Sequence, residues 1–372
     1  MINEERICSE FAELVQIDAP CFGERRIADA VKEKLISLGF EVQEDRAGER
    51  YGSDTGNLYG YLKGGMSGEP VLLSAHLDTV QPAFGKKAVF HENGKITGSG
   101  DTVLGADDLA GVVEILEAVR HLQEEKKSYR DVEVLFTVAE ESYIKGAKAF
   151  DFGRVRAKEA YVLDMEGAPG SAALRAPSLL SFKVTVSGKA SHAGFAPEKG
   201  VHAIWVMSAA ISRICQGYVD EERDTVLNIG IIRGGTSTNI VPDLCTCEGE
   251  IRSFSHEKAL KQAEKLRELF DHACQKAGAD VRTEFHTDLV AYETAAADPV
   301  VVRFAKACRK LGLSGRLLDT FGGSDNNQFA WQGIHGIVLS CGMHEIHSVR
   351  EYTTVEELKQ GAALVAELLQ ET

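Results

Sequence analysis

Eight acidic and imidazole side chains each stand at or just beyond the end of a short apolar run. They are His76 and Asp78 in VLLSAHLDTV, Asp107 and Asp108 in LGADDLAG, Glu140 and Glu141 in VLFTVAEES, Asp164 in AYVLDME, and His347 in CGMHEIHSV. Neutral imidazole and carboxylate are the ligand types that hold zinc and similar divalent ions. Apolar runs such as VLL, VLF and YVL read as buried strands, and an open α/β sheet gathers its ligand site at the carboxyl ends of its strands. Four strand ends and a late histidine can therefore meet in one place, as a metallohydrolase requires.

Each motif taken singly keeps a plainer reading. Asp78 lies one residue beyond His76's neighbour and projects to the same side of a strand. It can then accept from the His76 ring nitrogen that faces away from a metal, although an HxD pair alone also suits a structural or surface role. Asp107 opens a helix whose first amides favour negative charge; Asp107 or Asp108 alone would equally be an N-cap. Adjacent carboxylates at Glu140 and Glu141 resist close placement unless a cation or a shared proton relieves them. One can bind metal while the other faces substrate as a base, or both can lie in a solvated loop. His344 sits three residues before His347, so spacing leaves that choice open. As a set, His76, Asp107, Glu141, Asp164 and His347 fill four positions on each of two ions if Asp107 and one water bridge them, which matches zinc. Two such ions polarise a carbonyl and generate hydroxide from the bridging water, and Glu140 would carry the proton to the leaving amine.

The elements that must position these groups alternate helix and strand. Ile7, Phe11, Leu14 and Val15, then Ile27, Val31 and Leu35, have helical spacing, and Gly39 stands where a C-cap glycine would. Strands are expected at 40–44, 57–62 and 71–75, a hairpin at Asn93-Gly94, a helix at 107–124, and strands at 132–138 and 160–163. This alternation predicts an α/β fold with a doubly wound, mostly parallel sheet. From Ser178 the strand SFKVTVSG alternates, a helix is expected at 200–215, strands at 226–232 and 244–254, a helix at 256–276 and a strand at 281–289. That β-α-β-β-α-β order defines an inserted α+β, ferredoxin-like domain at 178–291. Residues 1–177 and 292–372 form the catalytic domain and end in an amphipathic helix at 355–369. Cys245 and Cys247 alternate on one strand and are expected to share a face.

With 372 residues the chain exceeds one usual core, so two domains are expected. A net charge of -15 disfavours nucleic acid as a partner. MINEERICSE has acids where a secretory leader would be basic and apolar, and no run approaches membrane-spanning length, so a cytoplasmic protein without membrane attachment is expected. The eight cysteines show no CxxC pair and read as free thiols.

Taken together, the motifs resemble the dinuclear zinc exopeptidases and deacylases that include tripeptide aminopeptidase (peptidase T), carboxypeptidase G and acetylornithine deacetylase. SAHLDTV resembles the first ligand motif, LGADDLAG the bridging aspartate, TVAEES the base and following ligand, VLDMEG the fourth element, and HSVREY the closing histidine, which selects His347 through Glu351-Tyr352. The likeness spans nearly the whole chain and is closest to the peptidase T-like branch. It implies that Asp78 and Glu140 are catalytic and that a cis peptide follows Asp107. GKASHAGFAPEKGVHA resembles the start of a lid or dimerisation domain, whose histidine, here His192, helps stabilise the oxyanion across a homodimer. RGGTSTNIVPD resembles the turn supplying a substrate-facing asparagine, Asn239, and FGGSDNNQFA a glycine-rich loop around Gly323, without the lysine of a P-loop. Arg233, Arg252 and Arg350 are the available clamps for a substrate carboxylate, with structural roles as the alternative.

The resemblance therefore implies a zinc-dependent aminopeptidase for short peptides, with cobalt or manganese as other ions for this ligand set. A carboxypeptidase or N-acyl amino-acid deacylase is the alternative on the same fold. A non-catalytic peptide-binding relative would show a damaged ligand set, and a cysteine hydrolase a nucleophile motif, and neither is present.

Overall fold

The computed structural model describes residues 2–371. Two compact units divide the chain, one comprising 1–175, 293–320 and 324–372, the other 176–292 and 321–323. The expected division at 178 and 291 had left Phe321–Gly323 with the catalytic part.

In the first unit the strands Val71–His76 and Val132–Thr137 are buried at every position, which is why both read as unbroken apolar runs. They form the centre of a sheet ordered Glu41–Glu44, Leu58–Leu62, Val132–Thr137, Val71–His76, Glu159–Met165, His335–Ser340, Ser171–Ala176, Tyr292–Glu293. The four central strands pair in parallel, while Leu58–Leu62 and Glu41–Glu44 are antiparallel at the edge. The helix Ala106–Glu124 is buried along nearly its whole length, because it lies within a core that also takes in Ile7, Phe11 and Leu14 of Glu4–Val15 and Leu358, Leu364 and Leu368 of Val355–Gln370. Asn3 and Thr354 cap those two helices through their side chains. The hairpin at Asn93-Gly94 joins Ala88–Phe90 to Lys95–Gly98, with Gly94 at φ 81°. The Asp107–Asp108 peptide is cis.

The second unit has its own core of Leu180, Phe182, Val184, Met207, Leu227, Ile251, Leu266 and Phe270, among others. Its five-stranded sheet runs Gly217–Tyr218, Thr225–Gly234, Leu244–Ser253, Ser178–Ser187, Asp280–Leu289, all antiparallel. Setting aside the two-residue edge strand, this is the ferredoxin-like arrangement. Cys245 and Cys247 both face this core. The helix expected over 200–215 is shorter, Ala203–Ile211. Val201 exchanges both backbone bonds with Lys189, which holds the chain extended, and the His202 ring then caps the helix by accepting from Trp205 N–H. No helix among the described residues is long and apolar enough to cross a membrane.

Candidate active site

Parallel pairing puts the carboxyl ends of neighbouring strands side by side. His76 closes Val71–His76 directly opposite Thr137, and Glu140 and Glu141 follow three and four residues later. Asp164 is the penultimate residue of the adjoining strand Glu159–Met165, and Asp107 stands in the first turn of Ala106–Glu124. His347 reaches the same place from the loop beyond His335–Ser340, at φ 58°.

Asp107 is the centre of the cluster. Its Oδ1 lies 3.0 Å from His76 Nε2, and its Oδ2 lies 3.1 Å from His347 Nε2. On the first side Asp164 Oδ1 is 3.9 Å from His76 Nε2; on the second, Glu141 Oε1 is 3.0 Å from His347 Nε2. One carboxylate thus faces two donor groups with different oxygens. Donors bound to one tetrahedral zinc at about 2.0–2.1 Å are roughly 3.3 Å apart, and these separations fall around that value. Donor atoms of His76, Asp107 and Glu141, and of His76, Glu140 and Asp164, lie within 4.8 Å of one another. Glu140 and Glu141, neighbours in sequence, thus fall in different groupings of donor atoms.

The electrostatics have the same cause. Burial pushes the Glu140 carboxyl well above the usual range, with Asp164 adding to it, and burial does likewise to Asp164 and Asp108. Burial would also raise Asp107, but contacts with His347 and His76 outweigh it and depress its pKa. Asp107 and Glu141 lift His347 to about 10. A buried pocket with more carboxylates than cations is relieved by divalent ions, which displace the protons these side chains otherwise share. His76 is oriented for this: Nδ1 donates to the carbonyl of Asp78 at 2.9 Å, so Nε2 is turned toward the carboxylates.

The Asp78 carboxylate lies 3.5 Å from the same Nδ1 and also accepts the amides of Glu140 at 2.9 Å and Glu141 at 3.2 Å. Three further acids do comparable work. Glu351, buried and lifted by burial to about 7, accepts from Gly105 at 2.8 Å and Asp107 at 2.9 Å. Asp108 accepts from His76 N–H at 3.0 Å. Glu24, also fully buried, accepts from Ala139 N–H at 3.0 Å. In the sequence Glu351 marks only the motif that places His347, and Glu24 is a single acid ahead of a helix with no local signal.

His344 pairs with Glu357 at 2.8 Å and stacks on Tyr352, away from the cluster that His347 joins. In the second unit, the loops of His192 and Asn239 meet through Ala193 N–H and the Asn239 carbonyl at 3.0 Å. His192 Nδ1 accepts from Gly194 and Phe195, both at 3.1 Å. Gly323 belongs to that unit. Arg252 binds Glu250 and the Phe321 carbonyl, Arg233 lies by Glu248 and Arg350 by Glu345.

A parallel α/β sheet whose strand ends converge on carboxylates and imidazoles, with a separate antiparallel unit, defines a metal-dependent hydrolase, and the matching families make it a peptide hydrolase. Residues 176–278 match the peptidase dimerisation domain of the M20 class and residues 57–196 the peptidase family M28. The Bacillus subtilis uncharacterized protein YqjE is 38% identical over 100% of this chain and 99% of its own. A Staphylococcus aureus tripeptidase structure superposes with a TM-score of 0.96 at 32% identity, covering 100% of this chain and 98% of that one. The aminopeptidase PepT of Bacillus cereus gives 0.93 at 38%, covering 99% and 98%. The chain belongs to the peptidase T-like family of M20 peptidases.

Proposed function

We propose that this protein is an aminopeptidase for short peptides that works with two divalent ions per chain, zinc being the expected ion and cobalt or manganese the alternatives. His76, Asp107 and Asp164 would hold one ion, and Asp107, Glu141 and His347 the other. The observation that carries the reading is Asp107, whose two oxygens lie 3.0 and 3.1 Å from imidazole nitrogens on opposite sides. When bound, such ions polarise the scissile carbonyl and lower the pKa of water.

The chain supplies the rest. Glu140 takes the proton of the attacking water and delivers it to the leaving amine. Its burial and its neighbour Asp164 raise its pKa, which moves a carboxylate toward working pH. Asp78 acts by fixing the Glu140 and Glu141 amides. His192 accepts two amides at Nδ1, so its Nε2–H is the available donor for a developing oxyanion; Asn239 and Gly323 are assigned to substrate binding. The matching dimerisation domain supports a homodimer through the second unit, and the eight free thiols suit the cytoplasm. Likeness to the tripeptidase supports a short-peptide substrate, and likeness to the aminopeptidase PepT supports the amino-terminal specificity.

Tripeptides with free, N-blocked and C-blocked ends test it, before and after chelation. Chelator-sensitive cleavage confined to free amino termini is expected. Cleavage of N-blocked peptides would move the assignment to a carboxypeptidase or deacylase.

A further inference from the structure

The segment between Val138 and Lys145 contains no glycine, yet Ala139, Tyr143 and Ile144 adopt φ of 51°, 68° and 51°. Backbone of this kind is disfavoured for residues with a Cβ and persists only where surrounding structure imposes it. The imposition is visible in three consecutive amides. Ala139 N–H donates to Glu24 at 3.0 Å, and Glu140 and Glu141 donate to Asp78 at 2.9 and 3.2 Å. Glu24 is itself anchored, because the oxygen that receives Ala139 also receives Phe22 N–H at 2.8 Å and the other receives the Ser53 hydroxyl at 2.9 Å. No solvent reaches it.

We infer that Glu24 is a positioning residue for the reaction, setting the backbone at Ala139 so that the side chain of the next residue, Glu140, is aimed as the base, while Asp78 holds the amides of Glu140 and Glu141. It touches neither substrate nor reacting atoms and acts through the Ala139 amide. The inference rests on Glu140 being the base. What matters is the reach of an acceptor oxygen to that amide. Aspartate is one methylene too short, whereas glutamine keeps an oxygen for the two amides and turns its NH2 to the Ser53 hydroxyl, which can accept as well as donate.

Glu24→Asp, Glu24→Gln and Glu140→Gln are compared on a free tripeptide for kcat and KM, together with metal content. Glu24→Asp is expected to lose about ten-fold or more in kcat, with KM within about threefold and full metal content. Glu24→Gln is expected to recover most of that kcat. Parent-like kcat in Glu24→Asp, equal losses in the two Glu24 variants, or a loss that tracks missing metal would each overturn the role. Full turnover in Glu140→Gln would overturn the base assignment instead. An inactive Glu140→Gln beside a fully active Glu24→Asp would remove the positioning role alone.

Discussion

Asp107 is set apart from the other acids by having each oxygen committed to a different imidazole. Asp107→Ala should therefore abolish metal retention at both positions, measured as ions per chain after gel filtration. Asp78 acts one layer away. Asp78→Asn turns an NH2 toward one of two amide donors, and about a 10–100-fold loss of kcat or metal affinity is expected, read by steady-state kinetics and metal titration. The residue types at 76, 78, 107, 140, 141, 164 and 347 were legible because histidines and acids stand out at the ends of apolar runs. Glu24 and the amide-holding role of Glu351 were not. Their partners are backbone N–H groups of distant segments, and sequence does not reveal which amides a turn leaves unpaired.

Close approach of elements fixes where the ligands sit. A Cβ on Gly111, in the helix Ala106–Glu124, would lie 2.6 Å from the Leu163 carbonyl oxygen and 2.6 Å from Asp108 Oδ1. The helix can pack on Glu159–Met165 only because that position is glycine. Gly111→Ala should destabilise the protein by about 1–3 kcal/mol in denaturant titration and weaken metal binding through displaced Asp164. Lys86 is a second test at this scale. It is fully buried, with Nζ donating to Thr79 Oγ1 at 3.2 Å, and burial lowers its pKa from the usual 10.5 to about 8. Between those values the unfolded chain holds more protons than the folded one, so this group's contribution to stability rises with pH and is lost as pH falls through 8. Lys86→Met should remove that rise, seen as a flatter dependence of melting temperature between pH 7.5 and 10. Element types followed from periodicity, but the helix at Ala203–Ile211 was overestimated because the bridge between Lys189 and Val201 is a non-local pairing.

At the scale of the whole molecule, two units with separate cores should respond differently to metal removal. All the proposed ligands lie in the first unit. Ions held 100-fold above their dissociation constant would stabilise it by about 2.7 kcal/mol. Calorimetry should show chelation lowering one unfolding transition and leaving that of residues 176–292 in place. The order of strands in the first unit's sheet was not legible, because pairings such as Val71–His76 with both Val132–Thr137 and Glu159–Met165 depend on contacts remote in the chain. The β-α-β-β-α-β order of the second unit, by contrast, implied that Ser178–Ser187 pairs with Leu244–Ser253 and Asp280–Leu289. The division of labour between metal holding and proton transfer is tested most directly by ions per chain and tripeptide turnover in one preparation of Glu140→Gln. About two ions per chain, with turnover reduced about a thousand-fold, is the expected result. Loss of the ions together with the activity, or full activity, would contradict it.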